Sequence, residues 1–320
     1  TNADKKVALI LYDYPPGEAT IGNASYLDVM VSTQNLIKIL EKEGYNIGNF
    51  PKNQEISEVL LQAGLVNQPE HINPAQFRGT VINQSQYNGL IKDLPSSLTA
   101  EIEQAWGSFP GTVMVSKENI FLPIAQFGNI YIGIQPPRTR ITDHANNYHN
   151  QALPPHHQYM AFYRHLEYNL DVDAIINVGT HGTLEFLPGK EAVGHCTDFN
   201  ILLQGSTPNL YIYHVSNTSE SAIAKRRSNA VIINHAPPPI KISDLYEQYE
   251  RLDQLILEYN RALHDNTGRE AIQTKELEEI TQQIHALAKE LEIGADRIEL
   301  IEASLYRLKV AAIQIGRAHV

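Results

Sequence analysis

Three short apolar runs in the second half of the chain, residues 172–178, 210–215 and 230–233, constrain the fold more than any other feature. Each has strand length and is carried by β-branched or aromatic residues. Between the last two, Asn217 and Glu220 stand three apart in a capping-box pattern, and the segment they open ends in Lys225-Arg226-Arg227. That is how a helix starts, and how cations complement its C-terminal dipole. Strand, helix, strand in that order implies a right-handed crossover and parallel pairing.

The rest of the chain fits the same class. Residues 7–12 read as a buried strand closed by a Pro-Pro-Gly turn, and residues 29–43 as a helix through Leu36, Ile37 and Leu40, with Gly44 at the C-cap. Residues 57–106 read as short helices broken at Asn73-Pro74 and Leu94-Pro95. Residues 120–134 hold two apolar runs split by Gly128-Asn129, a hairpin signal. After Pro154-Pro155 a helix is expected with Tyr159, Phe162, Tyr163 and Leu166 on its apolar face. From 243 to 309 the spacing is helical: Leu245, Tyr249, Leu252, Ile256, Tyr259 and Leu263, then Leu277, Ile280, Ile284, Leu287 and Leu291. An antiparallel helical pair is the expectation there, with a further amphipathic helix through Ile298, Ile301, Leu305 and Leu308. The predicted class is α/β: parallel-sheet α/β segments followed by an α-helical region. The predicted divisions are 1–127, 128–240 and 241–314, with 315–320 a non-native tail, because Ile-Gly-Arg-Ala-His-Val is also a translation of a common sequencing adapter.

Composition narrows the function. The net charge of -11 leaves no basic surplus to neutralise phosphates, so wholesale nucleic-acid binding is not expected. A single cysteine, Cys196, excludes an intrachain disulfide, and a reducing cytoplasm is the natural expectation. No apolar run reaches the length that spans a bilayer. Thr1 is not an initiator, and both ends look cut.

Chemistry concentrates after the 172–178 strand. Residues 179–193 place His181 and Glu185 four apart in a glycine-hedged loop, where α/β proteins put their ligand sites. Nine of the thirteen histidines lie within residues 144–235. For most of them helix capping or core hydrogen bonding is the better reading, whereas the loop position of His181 favours function. The loop is not a phosphate loop: six residues separate Gly182 from Gly189, and Lys190 is followed by Glu191 rather than by Ser or Thr. The arginines Arg138, Arg226 and Arg227 admit either a structural reading or a carboxylate-binding one.

Gly-Thr-His-Gly-Thr-Leu-Glu-Phe-Leu-Pro-Gly-Lys, residues 179–190, resembles the signature of the large subunits of cobaltochelatase (CobN) and magnesium chelatase (the H subunit). Residues 14–24, 127–129, 133–137, 153–157, 224–227 and 237–238 follow in family order. The resemblance runs from about residue 7 to about 313, so the chain looks like an internal fragment of a longer subunit. After Gln314 it departs from the expected Gly-Leu-His.

The resemblance implies insertion of a divalent metal into a tetrapyrrole, driven by ATP and Mg2+ on separate AAA+ partner subunits of the CobS/CobT or ChlI/ChlD type. Metal insertion must strip water from the ion and remove protons from ring nitrogens. A carboxylate can accept protons and imidazole can hold the ion. On that basis Glu185 and His181 are expected to be catalytic. Lys190, Arg226, Arg227 and Arg138 are expected to meet the macrocycle's carboxylates. His181, Glu185, His156 and His157 are the expected metal-handling residues. Residues 231–235 with the helix through Tyr246 and Tyr259 resemble the cobalt type, while Leu184-Glu185-Phe186 resembles the magnesium type at least as much. The expectation is Co2+, inserted into hydrogenobyrinic acid a,c-diamide in cobalamin biosynthesis, and the alternatives are Mg2+ into protoporphyrin IX, or a tetrapyrrole-binding protein without catalysis. A simple metal-dependent hydrolase is disfavoured by the lack of a compact ligand motif.

Overall fold

The computed structural model describes residues 1–13, 21, 22, 24, 27–67, 72–139, 150–179, 182–192, 194–212, 218–233, 244–264, 270–291, 293 and 297–305. The chain divides into two compact units, Thr1–Pro237 and Pro238–Val320.

The first unit is built on a six-stranded sheet. Its strands are β1 (Val7–Leu11), β5 (Ile124–Phe127), β6 (Ile130–Ile134), β7 (Ala174–Val178), β8 (Asn209–Ile212) and β9 (Val231–Ile233), in the spatial order β5-β6-β1-β7-β8-β9. All neighbours pair in parallel except β5, which folds back on β6 as the expected hairpin. β1 is an inner strand buried along its whole length, which explains why Val-Ala-Leu-Ile-Leu is apolar without alternation. A second sheet of three short antiparallel strands, β2 (Thr80–Ile82), β3 (Val115–Ser116) and β4 (Asn119–Leu122), has the order β2-β4-β3. The chain passes from one sheet to the other at Pro123, which has no N–H to continue a ladder.

This topology corrects the expected boundary at 127/128. β1 lies between β6 and β7, in register with both (Leu9 opposite Ile132 and opposite Ile176). Residues from either side of that division therefore share one hydrogen-bonded sheet.

The early helices are α1 (Val29–Lys42), α2 (Ile56–Gln62), α3 (Gln84–Ile91) and α4 (Ser96–Trp106). α1 ends as the sequence predicts: Gly44 takes φ +86, its N–H reaches the Glu41 carbonyl, and the Tyr45 N–H reaches Leu40 at 2.9 Å. Those two bonds satisfy carbonyls the helix would otherwise leave open. The helix expected after Pro155 forms as α5 (His157–Arg164) and continues as one π-helical stretch, His165–Asn169. Every residue of α5 is buried, not only the predicted face. Its aromatic face packs into a core cluster shared with β1, β4, β6, α3 and α4. At Gly133 an added Cβ would stand 3.0 Å from the Phe162 ring, so the glycine is where that ring seats on the sheet. α6 (Phe199–Gln204) and α7 (Thr218–Ser228) complete the unit.

The second unit is helical. α8 (Asp244–His264) and α9 (Glu270–Glu290) run antiparallel, with Gln248 near the start of one donating to Glu290 at the end of the other. Leu252, Ile256, Ile280 and Ile284 form the predicted seam, but Leu255 is buried and Leu263 exposed, so the stripe turns away before the end of α8. Ile298, Ile301 and Leu305 join the same cluster, making a third helix part of this core rather than an addition to a hairpin. Residues 315–320 lie outside the described residues.

Buried histidines make the first unit acid-sensitive. His156 caps α5: Nδ1 accepts from the Tyr159 N–H at 3.1 Å, and Nε2 donates to the Pro137 carbonyl at 2.7 Å. Burial pushes its pKa from 6.5 down to about 3, and that of His165 down to about 4. The unfolded chain binds these protons first, so the contribution is intact above pH 6.5 and is lost as pH falls toward the folded values. Urea midpoints should decline from pH 6.5 to 4, with His156 contributing on the order of 1 kcal/mol per pH unit. In His156→Asn, which keeps a capping acceptor but no titrating ring, the decline should be shallower. An unchanged slope would show that the His156 ring does not titrate in the unfolding transition.

Candidate functional site

The C-terminal ends of four parallel strands come level with one another. Leu11 is in register with Ile134 and Val178, and Val178 with Ile212. The ladder continues one residue further: Gln135 N–H to the Leu11 carbonyl at 2.8 Å, Tyr12 N–H to Val178 at 3.2 Å, and Gly179 N–H to Ile212 at 3.3 Å. Polar residues begin at this edge, which is the usual place for a ligand site in such a sheet. Gly179 must be glycine, since its φ is +154 and a Cβ would fall 2.3 Å from that of Tyr12.

The loop after β7 turns into a single 3-10 turn, Leu184–Phe186, whose three residues are all buried. Glu185 is 1% exposed. One of its carboxylate oxygens accepts from the Tyr211 hydroxyl at 2.8 Å, reaching across from β8. Burial and the adjacent Glu185 carboxylate hold the Tyr211 phenol well above the ordinary phenol range, so it stays a donor.

Beside this pair lies a connected set of buried polar groups that sequence reasoning missed. Asn67 donates both to Asp13 (2.8 Å) and to the Gln135 carbonyl (2.9 Å). Gln135 donates to the Thr183 hydroxyl at 2.9 Å and accepts from Tyr163 at 2.8 Å, and Tyr159 hydrogen-bonds to the same Thr183. Burial raises the pKa of both Tyr159 and Tyr163. Such a set is stable only when its members are satisfied, and it fixes the loop against α5 and β6. Two signals pointed to it. Tyr159 and Tyr163 sit on the predicted apolar face of α5, and Gln135 belongs to the Gly-Ile-Gln-Pro-Pro stretch. Read as core, the tyrosines concealed their hydroxyls.

The structure separates the other expected site residues by role. Arg138 is fully buried, and its guanidinium donates to the carbonyls of Asn150, Leu153 and Phe186 at 3.1–3.3 Å. Arg227, also buried, donates to the carbonyls of Leu187 (2.7 Å) and Gly189 (3.1 Å) and pairs with Glu191 at 3.3 Å. Both arginines therefore bond carbonyls of the 182–190 loop and present no guanidinium face to solvent, unlike what the expected carboxylate-binding role requires. Arg226 is exposed and pairs with the exposed Glu191 at 3.0 Å. Lys190 is exposed at the loop's end, its N–H donating to Asp198.

His156 and His157 are structural in this arrangement. Both nitrogens of His156 are taken up by the cap and Pro137. The Nε2 of His157 donates to the Gly107 carbonyl and its Nδ1 faces the Tyr87 hydroxyl, each at 2.8 Å. Neither ring has a free lone pair to offer an ion, so the expected metal-handling role conflicts with their bonding. His181 lies outside the described residues, as do residues 14–20. Among the described residues, no group of three or more His, Cys, Asp or Glu side chains is gathered to hold a metal. Among them too, no helix is long and apolar enough to cross a membrane.

Comparison with known proteins agrees with the motif reading. The profile of the CobN/Magnesium Chelatase family matches residues 1–319. The magnesium-chelatase H subunit of Chlorobaculum parvum is 34% identical over 92% of this chain and 22% of its own length. The aerobic cobaltochelatase subunit CobN of Sinorhizobium sp is 29% identical over 98% of this chain and 25% of its own. Among solved structures, the catalytic subunit of cobaltochelatase from Mycobacterium tuberculosis superposes with a TM-score of 0.61 at 26% identity, covering 95% of this chain and 26% of that one. The chain thus spans about a quarter or less of the length of these relatives.

The two neighbouring arginines of α7 should behave differently. Arg227→Met removes charged donors from two loop carbonyls and should lower stability by about 2–4 kcal/mol. Arg226→Ala breaks a pair between exposed side chains and should change stability by less than about 0.5 kcal/mol. Denaturant titration of both variants checks this; equal losses would mean that Arg227 does not brace the loop.

Proposed function

Because the chain belongs to the CobN/magnesium chelatase family, we propose that it forms part of the large, tetrapyrrole-binding subunit of a metal chelatase and carries the proton-accepting group of the insertion step. The observation that supports this most directly is Glu185: a carboxylate 1% exposed, on the loop at the ends of the parallel strands, with a phenol donor fixed on it. Insertion exchanges ring N–H protons, two in a porphyrin and one in a corrin, for one divalent ion. The ion leaves water, the ring nitrogens become its ligands, and the protons go to bases beside the macrocycle. A carboxylate removed from bulk water is a stronger electrostatic partner for a cation and for N–H groups than one in solvent.

In this reading Glu185 accepts a proton or hands over the ion, and His181, four residues earlier on the same loop, is its partner at the metal. Co2+ or Mg2+ is here the substrate ion. Lys190 and Arg226 are the exposed cations nearest this loop in sequence or by pairing, and they suit the macrocycle's peripheral carboxylates. Arg138 and Arg227 serve the loop's shape instead. ATP hydrolysis is assigned to AAA+ partner subunits, in keeping with the lack of a phosphate-loop motif in this sequence.

The cobalt reading, with hydrogenobyrinic acid a,c-diamide as substrate, draws on residues 231–235 and on the likeness to the Mycobacterium tuberculosis structure. The magnesium reading draws on the higher identity to the Chlorobaculum parvum protein. Titrating the full chain with each macrocycle, followed by absorbance, separates them. Preference for the corrinoid supports cobalt, preference for protoporphyrin IX supports magnesium, and binding of neither removes the basis of both.

Glu185→Gln should reduce metal insertion at least about 100-fold while macrocycle affinity changes less than about threefold, as expected when a group acts on the step and not on binding. Parallel loss of binding and insertion would make Glu185 a structural residue.

A further inference from the structure

Tyr211 has no part in the motif that carries the resemblance, yet its hydroxyl bonds the Glu185 carboxylate. It belongs to β8, paired opposite Asn177 of β7, so its backbone is fixed by the parallel ladder and not by the loop it serves. The phenol is 2% exposed. To reach Glu185 it passes the loop backbone at Gly182. A Cβ there would fall 2.0 Å from the Tyr211 hydroxyl oxygen and 2.7 Å from the ring carbon that bears it. No other residue at 182 leaves that passage open. The first glycine after His181 therefore has a stated function in this chain: it is the slot through which a strand residue grips the loop's carboxylate.

Resting on the reading of Glu185 given above, we infer that Tyr211 is a positioning residue of this site, holding the Glu185 carboxylate in one orientation through the slot at Gly182. A hydrogen bond to a charged group fixes direction as well as adding strength. A rigid strand is a better anchor for it than a loop, because small displacements of a reacting group are costly in rate. The polar set around Thr183 locks the loop residue two before Glu185 in the same way, from α5 and β6. Glu185 thus carries the Tyr211 bond on its own carboxylate, while Thr183, two residues earlier, is bonded to Gln135 and Tyr159.

The test uses the full chain with its ATPase partners and four proteins: wild type, Tyr211→Phe, Glu185→Gln and the double variant. Tyr211→Phe keeps the ring and loses only the hydroxyl. It should slow insertion about 10- to 100-fold, the range set by one hydrogen bond to a charged group, with macrocycle affinity within about twofold. In the Glu185→Gln background it should cause no further loss of rate. A structural role would lower binding and rate together and would add to the Glu185→Gln defect, and either result overturns the inference. A fifth protein, Gly182→Ala, should slow insertion at least as much as Tyr211→Phe, because its Cβ meets the ring carbon as well as the hydroxyl. Unfolding midpoints of the same four proteins read the contact without turnover, and additive shifts would show that the two side chains do not interact. Wild type that neither binds macrocycle nor inserts metal would fail the chelatase reading alone if the midpoints remain non-additive. Full activity in Tyr211→Phe would fail the inference alone.

Discussion

The larger unit depends on β1 being an inner strand. Residues 7–11 cannot satisfy their backbone groups until segments some 120 and 165 positions away arrive on either side, yet every residue among them is buried and needs those partners. Once they arrive, the row Leu11, Ile134, Val178 and Ile212 is set, and with it the height of everything that follows each strand. Tyr12, Gln135, Gly179 and the end of β8 are brought together by backbone register before any side chain makes a contact. The site is a consequence of the sheet's edge being even.

The second determinant is the burial of α5. A helix with all eight residues out of solvent needs an answer for each polar group it carries, and these answers connect the core to the site. His156 closes its N-terminus and holds Pro137; Tyr159 and Tyr163 turn their hydroxyls toward Thr183 and Gln135. Arg138 and Arg227 do the same for the loop's carbonyls. A cation buried among carbonyls is expensive to remove from water, and it is worth its place only where several dipoles converge. Here they converge on the stretch from Phe186 to Gly189, immediately after Glu185.

Much of this was legible in the chain. The parallel order after residue 172, the α5 helix, the hairpin at Gly128-Asn129 and the cap at Gly44 follow from local patterns, because periodicity and turn chemistry act over a few residues. What misled was distance. A division at 127/128 looks natural along the chain, since nothing local says that residues 7–11 will separate 130–134 from 174–178. His156 and His157 look like a metal pair until their nitrogens are seen bonded to Pro137, Tyr159, Gly107 and Tyr87, the farthest of them 70 positions away. Arg138 and Arg227 look like carboxylate binders for the same reason: sequence reveals a charge and not which way it faces.

The sequence by itself determined the class of fold and, through its motifs, the family, since each is written in contiguous residues. The tertiary structure alone decided which polar residues are buried and bonded to the loop and which face solvent. That choice turns on burial and on partners contributed by other strands, and a one-dimensional pattern holds neither. Tyr211 is the clearest case. In sequence it is one aromatic in a strand, and only the register of β8 beside β7, with no Cβ at Gly182, brings its hydroxyl to Glu185.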